Sequence, residues 1–306
     1  MRRLIRAPLR TAVGTLVRTR PGLHLVNALH RRLSPHARRR FFYLCCNQAW
    51  RVQGPWTVDF AGRRLKLLLS REFADAWELA ISFHGYDAEL HAFYEALVRG
   101  PRPPRAVFDV GANCGLHALR FLVHGARVIA FEPNPECHPW FRMWCDANDV
   151  PCELEPVAVG DRAASVELAF PEGRTYLGST ISDVRADWRG PVRTVSVRQV
   201  ALDDVVATRG VVPDLIKIDT EGAEAAVLRG AVDLLRTVQP MLIFEAWPSA
   251  AVRRVLWGLL DKHGYAIAAI DGGTPHALTH ADFCGARATN FVAEVLPGRV
   301  IHSARQ

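Results

Sequence analysis

The sequence predicts an α/β protein built on a doubly wound, mostly parallel seven-stranded sheet, preceded by a basic N-terminal helical extension. Three observations carry that reading. Ala106 to Pro135, AVFDVGANCGLHALRFLVHGARVIAFEPNP, reads as strand, glycine-rich turn, helix and strand. Val212 to Ala231, VPDLIKIDTEGAEAAVLRGA, repeats the strand-to-helix junction. Short apolar runs, alternating with helix-spaced segments, recur at 152–159, 241–245, 265–270 and 289–295. Strands buried on both faces read as such short continuous runs.

The elements follow in order. Phe41 to Trp50 is apolar and short enough for one helix, and Trp56 to Leu69 reads as a hairpin turning at Ala61-Gly62. Ser70 to Leu97 carries two helical patterns separated by Gly85-Tyr86-Asp87, and Gly100 to Pro104 is a stiff linker. The run Ala106, Val107, Phe108 and Val110 stops at Gly111, where the chain must turn sharply. Helical spacing resumes from Leu116, Gly125 ends it, and Arg127 to Phe131 forms a strand that delivers Glu132. A helix over 139–148, a strand over 152–159, and added strands at 165–170 and 192–200 come next. Between the added strands runs a polar loop, 171–190, with Tyr176, Ser179, Thr180 and Ser182, a natural border for an acceptor. After a short helix at 202–207, Asp214 to Ile218 is a strand ending on Asp219, and helical spacing continues to Leu235. The strand 241–245 ends on Glu245, and the last two strands follow the helix at 252–260.

The first strand-turn-helix unit has the physics of a nucleoside crevice. Ligands of open parallel sheets sit outside the carboxyl ends of the strands, and an acid about 20 residues past the first glycine can accept ribose hydroxyl protons. Glu132 lies 21 residues after Gly111. A dinucleotide turn would place glycines where Asn113 and Leu116 stand. Asp109, just before the first glycine, repels a pyrophosphate and suits a ligand bearing an ammonium and a sulfonium.

The glycine turn resembles the D-x-G-x-x-x-G loop of class I S-adenosylmethionine methyltransferases. More narrowly, DVGANCG followed by FEPNP, and IKIDTEGAE in the second junction, resemble the FkbM family of methyltransferases over residues 80–296. The resemblance implies S-adenosylmethionine as cofactor, held at Asp109, Gly111, Asn113, Gly115, Glu132, Asn134 and Asp219. It also implies methyl transfer to a hydroxyl of a sugar, glycolipid or polyketide-like metabolite, with Asp219 and Glu221 at the reaction centre. Tyr86 and Asp87 match the segment that precedes the turn in such sequences; the alternative is a helix N-terminus capped by Asp87. Val157 to Val159 are candidates for the adenine wall.

A hydroxyl is a weak nucleophile and gains from a general base. The acids at strand ends, Asp219, Glu221, Glu224 and Glu245, are the candidates, with Glu221 and Glu224 expected on one helix face. The helix dipole stabilises carboxylates there without any chemistry. The acids leave Mg²⁺ open as a second ligand, although no paired metal-ligand signature accompanies them. His84, His91, His117 and His138 are further candidate bases. Two other functions compete: an NAD(P)-dependent oxidoreductase, disfavoured by Asn113 and Leu116, and a non-catalytic binding protein on an anionic surface.

The net charge of +7 is unevenly spread. Residues 1–58 hold 12 arginines and no acid, while 59–306 are mildly acidic. The resemblance implies that 59–306 form the methyltransferase domain and 1–58 a basic N-terminal extension. Residues 1–40 read as a solvated extension, or as an amphipathic arm for an anionic membrane surface. No aromatic-interleaved basic platform points to nucleic acid. Seven cysteines without a C-x-x-C pair fit reduced thiols in a cytoplasmic protein, not a disulfide framework or a zinc site. There is no apolar run of spanning length, and no secretory signal is expected.

Overall fold

The computed structural model describes residues 2–48, 50–73, 75–171, 192–272 and 274–296. The chain opens with three helices, α1 (Arg2–Val17), α2 (Arg20–Arg31) and α3 (Pro35–Cys45). Thr19 and Ser34 start the second and third by accepting the N–H groups of Gly22 and Ala37, and Pro21 and Pro35 occupy the first turns. The expected 41–50 helix therefore begins earlier and stops at Cys45, short of Asn47, whose φ is +57°.

The hairpin β1 (Gly54–Phe60) and β2 (Arg63–Leu69) forms as expected. Trp56, Val58 and Phe60 alternate inward with Leu65, Leu67 and Leu69 on its buried face. α2 packs on β1, with α1 against α2 and α3, and Val13, Val17, Leu23 and Val26 join the same apolar core as Trp56, Trp77, Leu119 and Phe121. The solvated extension is thus replaced by packed helices. Of the arginines between the apolar positions, Arg10, Arg18, Arg20 and Arg32 are exposed, whereas Arg31 and Arg38 are half-buried.

α4 (Ala76–Gly85) and α5 (Ala88–Arg99) lead into the main sheet. Its strands and crossovers are β3 (Ala106–Val110), α6 (Leu116–Leu122), β4 (Arg127–Phe131), α7 (His138–Ala147) and β5 (Glu153–Glu155). β6 (Ala158–Val159), β7 (Ala164–Pro171) and β8 (Val192–Val200) form a separate three-stranded sheet. The remainder comprises α8 (Leu202–Arg209), β9 (Leu215–Ile218), α9 (Glu224–Arg229), a π-helical turn at Leu234–Val238 and β10 (Met241–Glu245). α10 (Ala250–Asp261), β11 (Tyr265–Ala269), α11 (His280–Gly285) and β12 (Asn290–Val295) complete it.

The seven strands run in the order β11-β12-β10-β9-β3-β4-β5. The five from β10 to β5 are mutually parallel, and β12 is antiparallel to both its neighbours. Each face has its own core. Val107, Val128, Leu215 and Ile243 pack with the N-terminal unit, whereas Phe108, Ile129, Ile216 and Leu242 pack with residues of α8, α9 and α10. Successive side chains alternate between two apolar layers, so the strands carry no polar face. The expected single strand 152–159 is two elements. β5 pairs with β4, and then the chain passes to β6, which pairs with β8.

Candidate active site

The carboxyl ends of the central strands open into a cavity of about 440 Å³. Its lining includes Gly111, Asn113, Glu132, Asp219 and Glu221, which the sequence assigned to the site, together with Val157 to Val159. Tyr86 and Asp87 line it too, as does Phe42 from α3. Asp87 stands at the start of α5 with φ +45° and makes no side-chain cap; its carboxyl accepts a hydrogen bond from the side chain of Asn290, which also lines the cavity. The loop with Tyr176, Ser179, Thr180 and Ser182 lies outside the described residues.

The glycine turn is held to its neighbours by backbone bonds. The N–H groups of Gly111 and Ala112 both donate to Phe131 O, at 3.0 and 3.1 Å. Gly111 has φ +74°, and a Cβ there would lie 1.8 Å from Asp219 O. The two strand-to-helix junctions therefore touch through bare backbone, which only glycine permits. Asn113, with φ +52°, donates its N–H to Glu132 Oε2 at 2.7 Å, and Asn134 N–H donates to Glu132 Oε1 at 2.7 Å. Glu132 thus ties the turn to the end of β4 before it meets any ligand. Burial pushes its pKa up to about 7, against the pull of these two bonds. Each carboxylate oxygen can accept a second hydrogen bond, and Glu132 lines the cavity.

Three residues named for the cofactor stand behind the cavity wall. Gly115 has φ +81°, and its missing Cβ makes room for the Phe141 ring, 2.0 Å from where that atom would lie. Asn134 is buried, and its Oδ1 accepts Glu136 N–H at 3.0 Å. Asp109 is buried beneath the turn, 3.4 Å from Lys217 Nζ. Lys217 is the residue that sequence reasoning missed. The signal was there, a lone cation inside an apolar central strand. Its ammonium reaches Asp219 Oδ2 at 3.3 Å and donates to Gly111 O at 3.1 Å. Burial works against its charge, but Asp219 and Asp109 outweigh that and hold its pKa above the usual lysine range.

The acids divide into two roles. Glu221 sits in the loop with φ +56°, not on a helix face shared with Glu224. Glu224 is buried and accepts Thr220 N–H, Thr220 Oγ1–H and Gly222 N–H at 3.1, 2.9 and 3.0 Å. It closes the loop and does not line the cavity. Glu245 does line it and accepts Trp247 Nε1–H at 3.2 Å. Burial, then the nearby Asp219 and Glu221 charges, push its pKa up to about 8. Burial and Asp219 likewise raise Asp87 to about 6.

Of the four histidines, His117 alone lines the cavity, with Nδ1 3.1 Å from Tyr94 Oη. Burial holds it well below the ordinary histidine pKa. His84 Nδ1 and His91 Nε2 lie 3.0 Å apart in the core, and His138 Nε2 meets Glu132 O at 2.7 Å. Among the described residues, no group of three or more His, Cys, Asp or Glu side chains is arranged to hold a metal ion.

Comparison with known proteins gives the family. Residues 109–266, more than half of the chain, match the methyltransferase FkbM domain. The hexuronic acid methyltransferase AglP of Haloferax volcanii is 28% identical over 141 residues, which are 45% of this chain and 54% of that protein. The chain thus spans about half the length of that relative. The 31-O-demethyl-FK506 methyltransferase FkbM of Streptomyces tacrolimicus is 29% identical over 195 residues, 55% of this chain and 75% of that protein. A crystal structure of an FkbM methyltransferase from Methylobacillus flagellatus aligns with a TM-score of 0.43 at 16% identity, covering 74% of this chain and 56% of that one. The matched segment runs from Asp109 through the glycine turn, Glu132 and the Asp219 loop to β11, and on that match the chain belongs to the FkbM methyltransferase family.

Proposed function

We propose that this chain transfers the methyl group of S-adenosylmethionine to a hydroxyl of a sugar, glycolipid or polyketide-like metabolite. One observation carries the reading. A single cavity gathers the bare backbone of the Gly111 turn, the Glu132 carboxyl at the end of β4, and the carboxyls of Asp219, Glu221 and Glu245. That set suits a nucleoside with a cationic tail. Phe131, Val157 and Val159 offer apolar surface for a base, Glu132 has lone pairs for ribose hydroxyls, and Asp219 lies about one-third exposed beside the turn. The cofactor supplies a methyl group on a sulfonium, already a good leaving group.

The protein's task is then positioning and proton removal. Lys217 neutralises Asp109 and steadies Asp219 at the rim of the turn. The acceptor hydroxyl meets Asp219 and Glu221, and Glu245 completes the group. With a pKa of about 8, Glu245 is mostly protonated at neutral pH, and its ionised, base-competent form grows as pH rises towards 8. Two relatives fit this reading: one is a hexuronic acid methyltransferase, the other a 31-O-demethyl-FK506 methyltransferase, whose name specifies an oxygen acceptor. No metal is assigned a role.

The test is calorimetric titration with S-adenosylhomocysteine and, separately, NAD⁺. Micromolar binding of the first alone supports the reading and directs acceptor screening to hydroxylated compounds. Binding of NAD⁺ alone overturns it, and binding of neither moves the weight to a non-catalytic role.

A further inference from the structure

We propose that the outward face of α1 and α2 docks on an anionic lipid bilayer. The two helices spend their apolar residues in two directions. Val13, Val17, Leu23 and Val26 turn inward, while Leu9, Leu16, Leu25 and Leu29 stand 41–53% exposed. Leu9 and Leu16 are seven apart and Leu25 and Leu29 four apart, so each pair shares a stripe on its helix. Arg10, Arg18, Arg20 and Arg32 are exposed around these leucines and, among the described residues, have no acidic partner within 4.0 Å.

Charge complementarity selects the occupant. The first acid in the chain is Asp59, which pairs with Arg31 at 3.9 Å and leaves Arg10, Arg18, Arg20 and Arg32 without an acidic partner among the described residues. Leucines amid uncompensated arginines match the boundary between acyl chains and anionic headgroups. A purely polyanionic partner would use the arginines and leave the leucines in water. Thr11 and Thr15 have already spent their hydroxyl protons on Ala7 O and Thr11 O at 3.0 Å each, which lowers the cost of placing them near lipid. Among the described residues, no helix is long and apolar enough to cross a membrane, so the helices lie on the surface.

The docking face belongs to the unit that walls the cavity. α3, packed on α1, contributes Phe42 to the cavity lining. A bilayer-bound arm would therefore hold the cavity close to lipid-linked acceptors. The proposal itself needs no ligand in the cavity and stands apart from the reading of the reaction.

The experiment is co-sedimentation of the full chain with phosphatidylcholine vesicles, with and without phosphatidylglycerol. The chain is expected to pellet with the mixed vesicles and not with phosphatidylcholine alone. Leu25→Gln/Leu29→Gln should lower the partition about tenfold, and Arg18→Gln/Arg20→Gln/Arg32→Gln about a hundredfold at low salt. These side chains lie outside the core, and unchanged circular dichroism melts would show that both variants are folded. Absence of pelleting with mixed vesicles overturns the proposal. So does equal pelleting of wild type and the leucine variant. A loss confined to the arginine variant would instead assign the face to a polyanion such as nucleic acid.

Discussion

Lys217 Nζ lies 3.4 Å from Asp109 Oδ1, across the register pair that joins β9 to β3. Both side chains are almost fully buried. The pair is the hidden strut of the site. The same ammonium holds Asp219 and the Gly111 carbonyl, so one cation fixes the ends of two adjacent strands and the turn between them.

Breaking this strut from one side should be costly. Lys217→Met leaves Asp109 buried with no counter-charge, which is expected to lower stability by about 3–5 kcal/mol. Asp109→Asn added to Lys217→Met removes the orphaned charge and should recover part of that loss. Chemical denaturation of the three proteins measures both effects. Equal stability of Lys217→Met and wild type would show that the pair contributes nothing.

Glycine positions with similar backbone angles should respond differently. Gly111→Ala places a Cβ against Asp219 O, and the turn and loop must separate. We expect a loss of about 3 kcal/mol or more, with loss of S-adenosylhomocysteine binding. Gly125 has φ +86° but open space around its missing Cβ. Gly125→Ala should cost only about 1 kcal/mol, the left-handed backbone penalty alone. Denaturation and titration of both variants make the comparison, and similar effects would mean that the close approach is unimportant.

Glu245 sets a pH dependence with a definite sign. Its folded pKa of about 8 lies above the ordinary 4.5. As pH rises from about 4.5, the unfolded chain gives up this proton first, so stability falls through the window up to about 8 and levels off above it. Glu245→Gln removes that contribution. The variant should gain on wild type by about 2–4 kcal/mol between pH 5 and pH 9. Melts across that range report it, and parallel pH profiles for the two proteins would rule the shift out.

Asn27 fastens the N-terminal helices to the hairpin. Its Nδ2 donates to Thr57 O at 2.8 Å, and its Oδ1 accepts Thr57 N–H at 3.0 Å and Thr57 Oγ1–H at 2.7 Å. Asn27→Ala leaves two backbone groups of β1 unpaired and should cost about 2–3 kcal/mol. Limited proteolysis should then cut first between α1 and β1. Unchanged protease resistance would mean that apolar packing alone holds the helices.

The parts of the site legible in sequence were those that local geometry controls. A short apolar run ended by glycine delivers Gly111 to a turn, and strand length delivers Glu132, Asp219 and Glu245 to the same end of the sheet. What no local pattern carried was side-chain direction that depends on distant partners. Asp109 meets Lys217 at 3.4 Å in the core, a pairing set by the register of two strands distant in sequence. Glu224 matched helical spacing with Glu221, yet the left-handed loop at Glu221 and Gly222 turns Glu224 inward. Residues 1–40 looked solvated because arginines dominate their composition, although the apolar positions between them complete the core over the hairpin.

The sequence by itself determined the fold class, the alternation of strands and helices along the main sheet, and the place of the glycine turn. Backbone sterics and the periods of helix and strand act over a few residues and leave their mark in any short window. Only the tertiary structure decided which polar groups face the cavity and which brace it from behind. Lys217 meets a turn 106 residues earlier in the chain. Such a contact follows from sheet register and burial, which exist only once distant strands have paired.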